Sequence, residues 1–369
     1  MRGVDGNKKV PAIRFEGFSG EWVEDKILNI SPLQRGFDLP KNKMKVGNYP
    51  VVMSNGINGY HSEYKAIGPG VVTGRSGTIG NIHFIQPNYW PHNTSLWVTS
   101  FKGNEPLYIY YMYLKLDLNR FGTGSGVPTL NRNDVHEQLI KIPKDKKEQT
   151  KIGNYFQQLD TLIAQHQQKH DKLQNLKKAL LEKCFPKQGE HTPELRFKGF
   201  SGAWEEKALG DVSKIKTGSS NREDSGLDGK YTFFDRSEDI RTSNIFLFDC
   251  EAIIVAGEGS DFIPKYFVGK FDLHQRTYAV MDFIDCDGKY LFYYIHLFRK
   301  HFLNYAVGST VKSLRLPMFE EMPIQVPKKE EQTKIGNLFQ QLDTLINQQQ
   351  TQLSKLKNIK QACLEKMFV

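Results

Sequence analysis

The chain has 369 residues, 39% of them hydrophobic and 12% aromatic, and carries 50 Lys+Arg against 41 Asp+Glu for a net charge of +9. That is enough apolar material for two packed domains, three at most, and it excludes disordered, collagen-like and disulfide-scaffold chains. Cys184, Cys250, Cys286 and Cys363 form no CxxC pair, so neither a zinc knuckle nor a redox motif is supported. No signal-peptide-like apolar run opens the chain and no window approaches 18 apolar residues. A cytoplasmic protein without a membrane partner is therefore expected, and its basicity is compatible with an anionic partner, nucleic acid first.

In chain order, PAIRFEGFSGEW (11–22) is followed by short β-like runs, YPVVMS, GVVTGR and TIGNIHFI, punctuated by Gly and Asn, and then by a helical stretch over about 104–120. These predict a mixed α/β domain over 1–142. From 143 to 192 lies a segment with a single Gly near its start, bounded by Pro143 and Pro186, which predicts one long helix. Its seam is expected at Ile152, Phe156, Leu159, Ile163, Leu173, Leu176 and Leu180, with His166 and His170 interrupting it. A second α/β domain is predicted over 193–326, with strands SNIFLFD, AIIVAGE, KYFVGKF and RTYAVMDF and an aromatic-rich helix over 288–305. A second long helix follows over 327–369, with its seam at Ile335, Phe339, Leu342, Ile346, Leu353, Leu356 and Ile359 and a polar break at Gln349. Two helices with matching seams, each after its own globular half, should pack antiparallel, giving an α+β fold with a pseudo-twofold internal repeat. The polar residues in the seams read either as a register device or as a locally wet stretch. Metal binding by His166 and His170 lacks a third ligand nearby.

The repeat is explicit. PAIRFEGFSGEW returns as PELRFKGFSGAW at 193–204, and EQTKIGNYFQQLDTLI (148–163) returns as EQTKIGNLFQQLDTLI (331–346) with one difference. Between these markers no counterpart is visible: NISPLQRGFDLPKNK does not match KIKTGSSNREDSGLD. Drift of a duplicated domain should leave a buried core more alike than a surface helix. The near-identity lies in the helices instead, which favours one frame carrying two different payloads over a duplicated domain with a drifted core. The second globular segment is mildly acidic, net −3 over 193–326, so if it binds DNA its basic residues must be gathered on one face.

No catalytic constellation is present. FGTGSG (121–126) follows a predicted helix rather than a strand, and no NPPY-like tetrapeptide, Walker loop, HExxH or GxSxG occurs. GRSGTIG (74–80) reads either as a close backbone approach to phosphate, with Arg75 and Ser76 reaching the duplex, or as a hairpin turn with an exposed Arg. At the corresponding place, AGEGSDFIPKYF (256–267), Glu258 is expected to replace the Arg, leaving Lys265 as the nearest cation. Side chains able to contact bases nominate Asn55, Asn58, His92, Asn93 and Arg132 in the first half. In the second they nominate Arg222, Arg236, Arg241, His274, Gln275, Arg276, Lys312 and Arg315.

The two RFxGFSGxW openings, the GRSGTIG segment and the paired IPKDKKEQTKIGNYFQQLD and VPKKEEQTKIGNLFQQLD stretches, spread over both halves, make the chain resemble the DNA-specificity subunit of type I restriction–modification systems. The resemblance implies two target recognition domains, 1–142 and 193–326, each reading one half of a split, asymmetric site in double-stranded DNA. It implies that helices 143–192 and 327–369 form an antiparallel coiled coil that spaces the domains and docks partners. A rod of about 36 residues is about 54 Å long, enough to bridge half-sites one helical turn, about 34–36 Å, apart. It further implies a non-catalytic chain that docks two modification subunits, which use AdoMet to methylate adenine N6, and two restriction subunits, which use ATP and Mg to translocate and cleave. This chain would then bind no cofactor of its own. The rival expectations are a self-sufficient DNA methyltransferase or nuclease, and a coiled-coil scaffold that binds only proteins.

Overall fold

The computed structural model describes residues 9–124, 126–237, 239 and 241–369. Ser125 of FGTGSG and the first eight residues of the 1–142 segment lie outside it. The chain forms two units: residues up to Gln167 together with Thr351–Val369, and Gln168–Gln350. Both long helices, Lys146–Cys184 and Lys329–Met367, contribute to both units.

Within each unit the two helices run antiparallel. In the first unit Tyr155 meets Cys363, Asp160 meets Lys360 and Phe156 meets Phe368. In the second, Lys177 meets Asp343 and Phe185 stacks on Phe339. Ile152, Phe156, Leu159, Ile335, Phe339, Leu342, Ile346 and Leu353 are buried, and Ile163, Leu173, Leu180 and Leu356 are half-buried. Leu176 and Ile359 correct the expected seam, being 47% and 37% exposed. Reaching either residue needs two successive steps of three. At 100° per residue, six residues fall about 120° short of two turns, off the contact stripe. The stripe passes one residue later, through Lys177 and Lys360. Their ammonium groups bond Asp343 and Asp160 at 2.5 Å and lie 5.3 and 5.7 Å from the rings of Tyr293 and Tyr111. The same carboxylates accept from the tyrosine hydroxyls at 2.6 and 2.7 Å. His170 and Gln349 are buried as well.

Parts of the repeated motifs turn out to be buried contacts rather than free surface. Glu148 and Glu331 are buried and receive bidentate bonds from Arg14 and Arg196 of the RFxGFSG segments at 2.7–2.8 Å. Gln149 and Gln332 are buried too. Each amide oxygen accepts, at 2.8 Å, the backbone N–H of Glu105 or Asp287, just ahead of an aromatic helix (Pro106–Leu116, Gly288–Phe298). Gly153 and Gly336 let those helices approach: a Cβ on Gly336 would sit 2.9 Å from Asp287 Oδ1 and 3.0 Å from Tyr290 N. EQTKIGN is therefore the seat of the globular segment, and its near-identity is what a buried contact requires.

The middle segments, unlike in sequence, share one strand frame. In the first unit Leu33 pairs with Val98, Val72 with Trp97, Val72 with His83 and, in parallel, Val51 with Trp90. In the second, Ile215 pairs with Val280, Ile254 with Ala279, Ile254 with Lys265 and, in parallel, Phe233 with Asp272. All seven positions differ by 182, so the duplication runs through these strands without a shift of register. Side chains changed while the backbone pairing stayed. Among the described residues these strands form a four-stranded and a three-stranded sheet in the first unit and a six-stranded sheet in the second, with two two-stranded ribbons in each unit besides. The second aromatic helix is shorter than expected, ending at Phe298 before a separate turn of helix, Lys300–Tyr305.

His136 ties the first unit together: its Nε2 accepts the backbone N–H of Leu33 at 2.8 Å. Burial, with the charge of Arg132 adding to it, holds its pKa below the ordinary histidine value. A histidine depressed in the fold binds fewer protons there than in the unfolded chain. Its contribution is therefore present above about pH 6.5 and lost as pH falls through the folded value. The melting temperature should fall between pH 7.5 and 5.5, with a shallower slope for His136→Gln. An unchanged or rising melting temperature at acid pH would refute this.

Candidate nucleic-acid interface

In the first unit three connections converge on Thr94. The backbone N–H groups of Arg75 and Ser76 donate to its carbonyl at 2.8 and 3.2 Å, and the N–H of Ser54, beside Asn55 in a hairpin turn, donates to its hydroxyl at 3.3 Å. His92 Nδ1 lies 3.0 Å from the same hydroxyl. Burial holds this imidazole below its ordinary pKa, so it is neutral at pH 7. The Arg75 guanidinium lies over the turn, 3.4 Å from the carbonyl of Asn93, whose amide donates to Asp38. The GRSG glycines are structural requirements: a Cβ on Gly74 would sit 1.7 Å from Thr78 O, and Gly77 has φ +84. Asn58 extends from the same hairpin with its amide on Met53 Sδ. Thus Asn55, Asn58, Arg75, Ser76, His92 and Asn93 belong to one loop cluster. Arg132 does not: it opens the short helix Arg132–His136 and lines a separate depression with Gln34, Thr99 and Glu137.

In the second unit Arg222, Arg236, His274, Gln275 and Arg276 line one concavity together with Asp235 and Glu258. Arg276 donates to Glu258 at 2.6 Å, with Arg236 3.6 Å from the other oxygen. Arg222 bonds Asp235 at 2.5 Å and Ser237 at 3.0 Å. Burial pushes the Asp235 carboxyl up, but the Ser237 hydrogen bonds and the Arg222 charge outweigh it and hold it below the usual range. Lys265 Nζ donates to the carbonyl of Ser237 at 2.8 Å and so joins the rim. Lys312 lies on the adjoining ribbon opposite Gly259. Arg315 is exposed at the start of helix Leu316–Glu320, and Arg241 sits on an edge strand, bonded to Ser225. The acidic excess of this segment is thus partly spent inside the basic cluster, where Asp235 and Glu258 neutralise and orient arginines.

One sequence equivalence needs correcting. Gly257 N donates to Arg276 O and Gly257 O accepts from Leu314 N, as Arg75 N donates to Thr94 O and Arg75 O accepts from Leu130 N. Gly257 therefore stands where Arg75 does, and Glu258 where Ser76 does. The guanidinium of the second cluster comes from Arg276, at the position of Thr94. Thr94, Asp38, Asn221 and Asp235 were missed by sequence reasoning. The usable signal was His-x-x-[Ser/Thr], HNTS at 92–95 and HQRT at 274–277, at the same spacing of 182 as the opening motif. Among the described residues no three His, Cys, Asp or Glu side chains are placed to hold a metal ion, and no helix is long and apolar enough to cross a membrane.

Comparison with known proteins places two matches to the type I restriction modification DNA specificity domain, over residues 19–175 and 202–358. A stretch of 158 residues, 43% of this chain, is 32% identical to the Escherichia coli type I restriction enzyme EcoDI specificity subunit but spans only 34% of that protein's length. A longer stretch, 298 residues or 70% of this chain, is 24% identical to the Methanocaldococcus jannaschii type I restriction enzyme MjaIX specificity subunit and spans 67% of it. The fold resembles the crystal structure of a type I restriction–modification system S subunit from M. genitalium, with a TM-score of 0.75 at 15% identity, covering 98% of this chain and 99% of that one.

Proposed function

The chain belongs to the type I restriction–modification DNA specificity family, and from that premise we propose that it is the sequence-reading subunit of such a complex. Each unit reads one half of a bipartite, asymmetric site in double-stranded DNA, the first through the cluster around Thr94 and the second through the arginine-lined concavity. The long helices seat the two globular segments and offer surface to partners. The chain directs chemistry without performing it: two modification subunits holding AdoMet methylate adenine N6, and two restriction subunits holding ATP and Mg translocate and cleave. It acts in the cytoplasm, where the chromosome is.

The observation that carries this reading is the constant frame with unlike tips. Strand pairings in the central sheets keep the 182 spacing, while the loops present Arg75, Asn93 and Thr94 in one unit and Gly257, Gln275 and Arg276 in the other. A frame repeated with different side chains at one place suits two readings of one polymer. Those tips also carry the side chains that make bidentate contacts with purines in the major groove. The test is genome-wide adenine-methylation mapping in cells that supply the modification partner, with and without this chain. A split motif that appears with the chain is expected. No chain-dependent motif, with the partner active on another specificity subunit, would overturn the reading.

A further inference from the structure

The turns at 92–94 and 274–276 are built alike. In each, the histidine N–H is held by a strand carbonyl (Val52 O, Phe234 O) at 2.9 Å. Its own carbonyl accepts the N–H three residues on at 2.9 Å, and its Nδ1 accepts the N–H two residues on at 3.4 and 3.1 Å. The residue after the histidine is a carboxamide in both: Asn93, half-buried, and Gln275, exposed. Each amide nitrogen donates one bond to a neighbouring loop, Asn93 to Asp38 Oδ1 and Gln275 to Asn221 Oδ1, the latter at 2.6 Å.

We propose that these two turns are the equivalent base-reading elements of the units, and that the pinned amides of Asn93 and Gln275 each read an adenine in their own half-site. A carboxamide has two N–H donors and one carbonyl. With one N–H held by the neighbouring loop, the other N–H and the oxygen remain, which is the donor–acceptor pair that adenine N7 and N6 require. The pin also removes rotamer freedom before DNA arrives, so less is lost on contact. The neighbouring groups are engaged otherwise: Glu258 is held by Arg276 and Arg236, and Asp235 by Arg222. The carboxylates are thus committed to arginines, whereas the amides keep a free reading edge.

This inference rests on the DNA-reading function and is tested in the same cells, with the full chain and its modification partner. Gln275→Ala should relax one adenine of the second half-site, with discrimination there falling by about tenfold or more, while the first half-site is unchanged. Asn93→Ala should do the converse. Gln275→Glu keeps the length but makes both ends of the group acceptors, so with the Asn221 amide turned over to donate the pin, the same position should turn towards cytosine, whose N4 amino group donates. That gain cannot come from misfolding. An unchanged motif in the alanine variants, or relaxation at a base pair other than A·T, overturns the proposal while the wild-type motif still upholds the function. So does loss of all methylation in Gln275→Ala that Gln275→Glu does not restore. Absence of any wild-type motif removes the function and the proposal together.

Discussion

Arg196→Ala should destabilise the second unit by about 3–5 kcal/mol. Glu331 has no exposed side-chain surface, and Arg196, 15% exposed, meets it through two nitrogens at 2.7 and 2.8 Å. Truncating the arginine leaves a buried carboxylate without its counter-charge at the start of the helix on which the globular segment sits. It also frees the carbonyl of Gly202, now bonded by the same guanidinium at 2.6 Å. Replacing both partners, Arg196→Met with Glu331→Leu, removes the stranded charge as well and should recover most of the loss, because a buried ion pair and an apolar pair are often near parity. Urea unfolding gives the magnitude. Hydrogen exchange over 193–209 and 288–298 should locate the loss in the second unit, and Arg14→Ala should place the matching loss in the first. A single-variant effect below about 1 kcal/mol, or a double variant no better than the single, would refute the argument.

Phe339→Ala should cost a comparable amount, about 3–5 kcal/mol. Its ring is fully buried between Phe185, 5.9 Å away between centroids, and Tyr293, 5.2 Å away. Those neighbours come from the residue just past one long helix and from the aromatic helix, two elements anchored in the same core. Phe339→Leu retains much of the volume and should lose less. Phe156, against Tyr111 and Phe368, should give the same ordering in the first unit. Equal midpoints for Phe339→Ala and the unmodified chain in urea would show that the space collapses freely and that the seat is not rigid.

Periodicity and repetition made much of this architecture legible. The long helices, the order of the β runs and the duplication follow from apolar spacing, bounding prolines and near-identical segments. The ends of the helix seams were misread because leucine at 176 and isoleucine at 359 drew attention away from Lys177 and Lys360. A lysine whose ammonium lies near a tyrosine ring and meets an aspartate occupies a seam position without apolar identity. The shared strand frame went unseen because register is set by backbone pairing and by which face a side chain takes, and many side chains satisfy both. The same gap displaced the counterpart of Arg75. Arg276 supplies the charge from another loop, and only the hydrogen bonds of Gly257 reveal the exchange. The candidate readers were legible as residue types. Asp38 and Asn221, which hold Asn93 and Gln275 from far along the chain, were not, because nothing local marks them.

Residues 351–369 belong to the first unit, whose core includes Leu364, Met367 and Phe368, and the backbone of Ile13 bonds that of Lys366. The second unit is one uninterrupted segment, Gln168–Gln350. On the ribosome, where the chain emerges at about 5–20 residues per second, the order of completion is therefore inverted. The unit whose synthesis begins first waits with an uncovered aromatic seat until the last helical turns arrive, while the unit begun later already holds all its parts. A chain cut short near residue 350 would carry every residue of the second unit but leave the first still open at its core.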